Sequence, residues 1–288
     1  MTVVSAKEML MEATRQHYAV GAFNVTDLVQ MEAVVEAHIE RKAPLILQTS
    51  VSPSKFLGRE VLVAIYRTLA SSAPIPICLH LDHCTEVAYC KACAQSGYTN
   101  IMIDASKESF EENIRQAREV VDYCHQMGDI TVEAELGAVA GVEDQIKVVE
   151  DQAALCQPEQ ALEFVERTGV DLFAPAIGTA HGVYKTKEPK IDFERLEKIS
   201  REINGSGVRT PLVIHGGTGL PAEYVKRLVA LGGAKLNVST ELKHALIDAT
   251  YEYIDPHRDE YKPEKISAAV KEATRKVVLN WIDVLGSA

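Results

Sequence analysis

The feature that most restricts how this chain can fold is a rhythm. A short apolar run, a polar loop and an amphipathic stretch of helical period follow one another again and again. The apolar runs read as strands at Ala19–Val25, Pro44–Ser50, Ile75–His83, Asn100–Ala105, Ile130–Leu136, Leu172–Ile177, Pro211–His215 and Ala234–Ser239. The helices between them read as Leu28–Arg41, Ser54–Ala70, Glu86–Ser96, Phe110–Met127, Pro158–Thr168, Phe193–Ile203, Ala222–Leu231 and Leu242–Tyr253, with a further helix at Ile266–Val284. Near-continuous apolar strands belong to parallel sheets covered on both faces. Eight such units in about 250 residues have the length of a (β/α)8 TIM barrel, here an α/β fold with an additional C-terminal helix. The alternative, an open doubly wound sheet, usually carries a glycine fingerprint after its first strand, and AVGAFNVTD contains no GxGxxG. No low-complexity linker or charge run divides the chain, so residues 1–288 read as one domain.

A barrel of this kind builds its site at the C-terminal ends of its strands. Unusual polar residues should therefore gather where the apolar runs stop, and they do. Strand one ends in Asn24, strand two in Gln48 and Ser50, and strand three in His80, Asp82 and His83. Strand four ends in Asp104, and strand five carries Glu133 and Glu135. His181 follows strand six, His215 ends strand seven, and Asn237, Ser239 and Thr240 end strand eight.

His83, His181 and His215 thus follow three different strands at one face. Any one of them alone reads as a buried structural histidine, but three imidazoles and an open position are what catalytic zinc requires. Asp82 reads as a general acid/base beside a metal ligand, with helix capping as the alternative. Asp104 and Glu135 could form a second cation site, orient the histidines, or simply hydrogen-bond within the core. The turn HGGTGLP opens a helix and can aim backbone amides at a phosphate. Gly216, Gly217 and Thr218 read as that cradle, with Ser239 and Thr240 beside it. Gly182 and Lys185 lie in HGVYK, where Lys185 either supplies positive charge or is a solvated loop residue.

Composition narrows the partners. A formal net charge of -11 disfavours nucleic acid or an anionic membrane, both of which reward Lys and Arg. It leaves room for a small phosphorylated substrate, which needs only local amides and one or two cations. No stretch approaches the ~20 apolar residues of a membrane span, and Met1–Gln16 is amphipathic without the apolar run of a signal peptide. A cytoplasmic location with six reduced cysteines is expected. Cys90 and Cys93 form a CxxC with no second pair, and read as part of an ordinary helix ending at Gly97.

The segments YAVGAFNV, LHLDH, MIDAS, VEAELG with a following ED, AIGTAHGVYK, PLVIHGGTG and KLNVSTELK together resemble the class II fructose-bisphosphate/tagatose-bisphosphate aldolase family, over essentially the whole chain. The resemblance implies His83, His181 and His215 as zinc ligands and Asp82 as catalytic acid/base. It implies Asp104 and Glu135 at an alternate or second divalent-metal position. Glu143, in the loop Ala138–Gln152, matches the carboxylate that handles the C1 proton. Gly182, Lys185, Gly216, Thr218, Ser239 and Thr240 match the pocket for the ketone-side phosphate. Asn237 matches a contact to dihydroxyacetone phosphate, and Asn24 and Ser50 match positions near the other end of the substrate. Carbonyls around Ala180, Gly182 and Gly216 match a monovalent-cation site. The chain departs from the family's pattern in three places: Cys84 stands where glycine is common after LDH, the loop's glycine pair is reduced to Ala140–Gly141, and the DPR-like motif reads Asp255–Pro256–His257–Arg258 with one extra residue. Arg258 is the resulting candidate for the second phosphate, shared between subunits of a dimer or tetramer. The segments AIGTAHGVYK, PKIDF and STELK are similar to the tagatose-type branch, whereas Lys185 and HGGTG are similar to fructose-type members.

The expected reaction is zinc-dependent reversible cleavage of fructose 1,6-bisphosphate, with the tagatose epimer or another phosphorylated ketose as alternatives and a metal-free barrel isomerase as a distant one. The rival aldolase chemistry uses a Schiff-base lysine at the barrel mouth. LFAPAIG carries no lysine, and Lys235 falls at the start of strand eight, away from the mouth.

Overall fold

A computed structural model of the chain describes residues 3–144, 146–149, 153–184, 186 and 188–288, with the side chains of Glu143 and Ile146 outside the described set. In chain order the strands are β1 (Val20–Asn24), β2 (Leu45–Ser50), β3 (Ile77–Cys84), β4 (Asn100–Ile103), β5 (Thr131–Leu136), β6 (Gly141–Glu143), β7 (Ile146–Val148), β8 (Leu172–Pro175), β9 (Leu212–Ile214) and β10 (Gly233–Val238). Eight of them close into a parallel barrel in the order β1-β10-β9-β8-β5-β4-β3-β2, while β6 and β7 form a separate antiparallel hairpin. The fold is the expected (β/α)8 barrel.

The helices are α1 (Ala6–Gln16), α2 (Leu28–Arg41), α3 (Val51–Leu57), α4 (Arg59–Ser72), α5 (Val87–Ser96), α6 (Phe110–Met127), α7 (Pro158–Thr168), α8 (Phe193–Gly205), α9 (Ala222–Ala230), α10 (Thr240–Ile254) and α11 (Pro263–Leu285). Three of the expected helices, α2, α6 and α7, have the bounds read from sequence. Side chains fix two of those starts: Asp27 accepts from the Gln30 amide at 2.8 Å and Ser109 from the Glu112 amide at 3.3 Å. The helix read as Ser54–Ala70 is instead two helices, because Gly58 adopts φ +87° between α3 and α4, a left-handed conformation that ends one helix and starts another. α11 packs against α2 and α10, with Lys271 bridging Glu32 and Glu36 across the seam.

The barrel interior is stratified. At its N-terminal end α1 seats Ala6, Leu10 and Ala13 against Val20, Ala22, Ile46, Cys78, Leu172 and Val213, all fully buried. Lys7 fixes the plug through Asp171, with Nζ–Oδ1 at 3.0 Å. The same inward ranks turn polar as the strands rise: Ile46 gives way to Gln48, Cys78 to His80 and then Asp82, and Thr131 to Glu133 and Glu135. Outward positions such as Phe23, Leu47, Leu79 and Ala134 meet the surrounding helices as the main apolar core. No described helix is long and apolar enough to cross a membrane.

Candidate active site

Asp82 and His83 are adjacent in β3, and adjacent residues of a regular strand face opposite sides. The strand resolves this conflict with its backbone. His83 takes φ +46°, and the pairing of β3 with β4 shifts register between Leu81 and Cys84. A left-handed conformation costs a non-glycine residue roughly 1–2 kcal/mol. It brings both side chains to the inner rim.

His83, His181 and His215 converge there, with one candidate ligand atom from each lying within 4.8 Å of the others. The ring centroids of His83 and His215 are 4.5 Å apart and those of His83 and His181 are 4.8 Å apart. The donor set fits a divalent metal. His83 Nδ1 is 2.7 Å from Asp104 Oδ2, while His83 Nε2 is buried without a hydrogen-bond partner, a costly state for a ring nitrogen that serves no ligand. His215 Nδ1 lies 2.7 Å from Glu135 Oε2 and its Nε2 lies 3.1 Å from Glu133 Oε1. A nitrogen taken by a metal must give up its proton, so one of these two contacts is exchanged when a cation is held. Asp104 thus contacts His83, and Glu133 and Glu135 flank His215, the arrangement of carboxylates that can orient ligating histidines. Among protein groups alone, burial would lower the His83 pKa, but Asp82 and Asp104 raise it to about 10. Burial and the neighbouring rings push His181 well below the usual histidine range.

Asp82 is buried and bracketed by two amides. Asn24 Nδ2 donates to Oδ2 and Asn237 Nδ2 to Oδ1, both at 2.9 Å. Gln48 fixes the first amide by donating to Asn24 Oδ1 at 2.6 Å, so that the NH2 group of Asn24 points at Asp82. Burial is the largest influence and would raise the Asp82 pKa, but His83, His80 and Lys235 together outweigh it and hold the carboxyl well below its usual range. Asp82 is thus held ionised, able to accept a proton.

Beside Asp82 and His181, one pocket is lined by Asn24, Gly182, Gly216, Gly217, Thr218, Asn237, Ser239 and Thr240. This brings together eight of the residues expected to hold substrate. Thr240 opens α10, so Ser239 and Thr240 lie at a helix N-terminus, which favours an anion. Gly216 has φ +69°, and a Cβ there would stand 2.5 Å from the Ala180 carbonyl oxygen, so no larger residue fits. Ser50 is buried at the end of β2, paired in register with Asp82. Arg258 is not brought to the pocket within this chain: its side chain is 74% exposed and pairs with Asp255 at 2.7 Å. Lys185 and the side chain of Glu143 lie outside the described residues.

Two features were not anticipated from sequence. The Tyr184 hydroxyl donates to the Gly216 carbonyl at 2.7 Å and accepts from the Ala180 amide at 2.9 Å, clasping the loops that follow β8 and β9. Its only signal in the sequence is its place in HGVYK. The second is the pairing of Lys235, which lies in the first half of β10, fully buried inside the barrel, with Nζ 2.9 Å from Glu133 Oε2 and 3.4 Å from His80 Nε2. It lies beneath the pocket and does not line it.

A family model described as class-II fructose-bisphosphate aldolase matches residues 4–288. This chain belongs to that family. It is 40% identical over 291 residues to a fructose-bisphosphate aldolase of Geobacillus stearothermophilus, covering 100% of this chain and 98% of that protein. Among solved structures it is similar to the YdjI aldolase of Escherichia coli K12, with TM-score 0.85, 32% identity and coverage of 99% and 98% of the two chains. A fructose-bisphosphate aldolase of Campylobacter jejuni, 22% identical with TM-score 0.83 over 99% and 96% of the chains, shares the fold. The chain is accordingly a class II aldolase, a carbon–carbon lyase of a family that is generally metal-dependent and acts on phosphorylated sugars.

Proposed function

We propose that this aldolase, acting as one domain over residues 1–288, catalyses the zinc-dependent reversible cleavage of fructose 1,6-bisphosphate into dihydroxyacetone phosphate and glyceraldehyde 3-phosphate. The observation that carries the reading is the juxtaposition of the three-histidine cluster, with its orphaned His83 Nε2, and the amide-bracketed Asp82. His83, His181 and His215 would hold the zinc, which supplies Lewis-acid polarisation of the C2 carbonyl. Asp82 takes the C4 hydroxyl proton in cleavage and returns it in condensation. Asn24 and Asn237 keep both Asp82 oxygens aimed. Glu143 is assigned to the C1 proton, on a hairpin tethered to the metal loop by the His181 amide, which donates to the Ala140 carbonyl at 2.8 Å. The Gly216–Thr218 turn, Gly182, Lys185 and the start of α10 bind the ketone-side phosphate, using remote binding energy for positioning. Asp104 and Glu135 remain candidates for a second divalent ion, and the carbonyls of Ala180, Gly182 and Gly216 for a monovalent one. Arg258, exposed in this chain, would serve a second phosphate in a neighbouring subunit of a homo-oligomer. The reading places the enzyme in the cytoplasm, in sugar-phosphate metabolism.

The test is triose-phosphate release from fructose 1,6-bisphosphate before and after EDTA, with zinc then restored. Loss and recovery of activity are expected. Activity untouched by EDTA in a protein that carries no zinc overturns the metal mechanism. A zinc-loaded protein inactive on this substrate but active on tagatose 1,6-bisphosphate moves the assignment to the C4 epimer.

A further inference from the structure

Lys235 is the only lysine or arginine among the described residues that is fully shut inside the protein. Burying an ammonium is costly, and a buried ion pair is often no more stable than apolar residues of the same volume. Packing alone therefore gives no reason for a charge at this position. Its surroundings give one. Lys235 Nζ lies 2.9 and 3.1 Å from the two oxygens of Glu133, which is itself fully buried. Glu133 Oε1 in turn lies 3.1 Å from His215 Nε2. A lysine that touches neither pocket nor substrate is thus one carboxylate away from a candidate metal ligand.

We infer that Lys235 is a positioning residue for metal binding: it pins Glu133, and Glu133 fixes the ring plane and tautomer of His215. A carboxylate that accepts from Nε2–H leaves the ring's lone pair on Nδ1, so the Nδ1 contact to Glu135 is the one a metal would replace. Lys235 also offsets charge in a layer that holds four carboxylates, Asp82, Asp104, Glu133 and Glu135. Without it, Glu133 is a buried anion held only by the neighbouring His215 and His80 rings, and its aim at His215 is no longer fixed from the other side. The inference rests on the reading that the three histidines hold a divalent metal.

The test compares zinc affinity, by competition with a chromophoric chelator, in the wild type, Lys235→Met and the double variant Lys235→Met/Glu133→Gln. Each is measured well below its own melting temperature. Lys235→Met should bind zinc about 10–100-fold more weakly, the usual cost of losing a group that orients a ligand. The double variant removes both charges but keeps an acceptor for His215 Nε2–H, and should recover to within about threefold of wild type. Should Lys235→Met fail to fold, Lys235→Gln, which keeps a donor to Glu133 without the charge, takes its place with the same expected loss. A single variant with wild-type affinity and a changed melting temperature makes Lys235 merely structural and overturns the inference. So does a double variant as weak as the single one. A wild type that binds no zinc sinks the metal reading itself, a different result from wild-type binding that Lys235→Met leaves unmoved.

Discussion

Asp82 accepts two amide hydrogen bonds, and both donors come from other strands. The carboxylate is therefore aimed by the barrel as a whole, and replacing it changes chemistry more than structure. Asp82→Asn keeps the size of the side chain but removes the proton acceptor. Its kcat for cleavage should fall by about 10²–10⁴-fold with metal content unchanged, since Asp82 is not one of the three converging histidines. Steady-state kinetics with parallel zinc analysis checks both halves. His38 tests the same reasoning away from the site. It is fully buried, its Nδ1 contacts the Val34 carbonyl at 2.8 Å, and burial lowers its pKa to about 4. Above the unfolded value of about 6.5 neither state is protonated and His38 adds no pH dependence. As pH falls from there toward 4 only the unfolded chain gains the proton, so stability drops by about 1.4 kcal/mol per pH unit. Urea unfolding of wild type and His38→Gln should show the wild type losing about 2–3 kcal/mol relative to the variant between pH 7 and pH 4.5. At this scale the sequence spoke through residue type: polar groups interrupting apolar runs marked Asn24, Asp82, His83 and His215. It was silent on partners, because Gln48 orienting Asn24, or Lys235 holding Glu133, depends on inward ranks of different strands meeting across the barrel.

The elements show where pattern reading works and where it stops. Helices with an amphipathic period and a capping residue, such as α2 and α6, were legible to the residue. The hairpin of β6 and β7 was not, because two strands of three residues are too short to carry a period. α1 was visible only as an amphipathic segment, and its role as a plug follows from what it covers. The hairpin's value lies in its attachment. Gly141 has φ +110°, and a Cβ there would stand 2.3 Å from the His181 carbonyl oxygen. Gly141→Ala should therefore push the hairpin off the loop that carries His181. Because this strains one loop and leaves the barrel intact, kcat/KM should fall at least tenfold while the melting temperature drops by only a few degrees. Equal losses in both would mean that the hairpin supports the fold rather than the site.

At the scale of the molecule, the interior is layered: an apolar floor sealed by α1, an ionic layer around Lys235 and Glu133, and the histidine rim above. The layering separates what stabilises the protein from what performs its chemistry. Leu10 is fully buried in the floor, among Val20, Ile46, Cys78 and Leu172. Leu10→Ala should cost about 2–5 kcal/mol through lost burial and the cavity left behind. For a chain of this size that is a drop of roughly 5–15 °C in melting temperature. The floor and the rim share strands, with the buried polar ranks of Gln48, His80, Glu133 and Lys235 between them. Changes at distant sites without shared partners act independently, so kcat at 25 °C should stay within about twofold of wild type. Calorimetry and a triose-phosphate assay on the same preparation decide the matter. A stability loss with intact turnover supports the separation, whereas a matching loss of turnover would mean that the plug's packing reaches the histidine rim through the barrel.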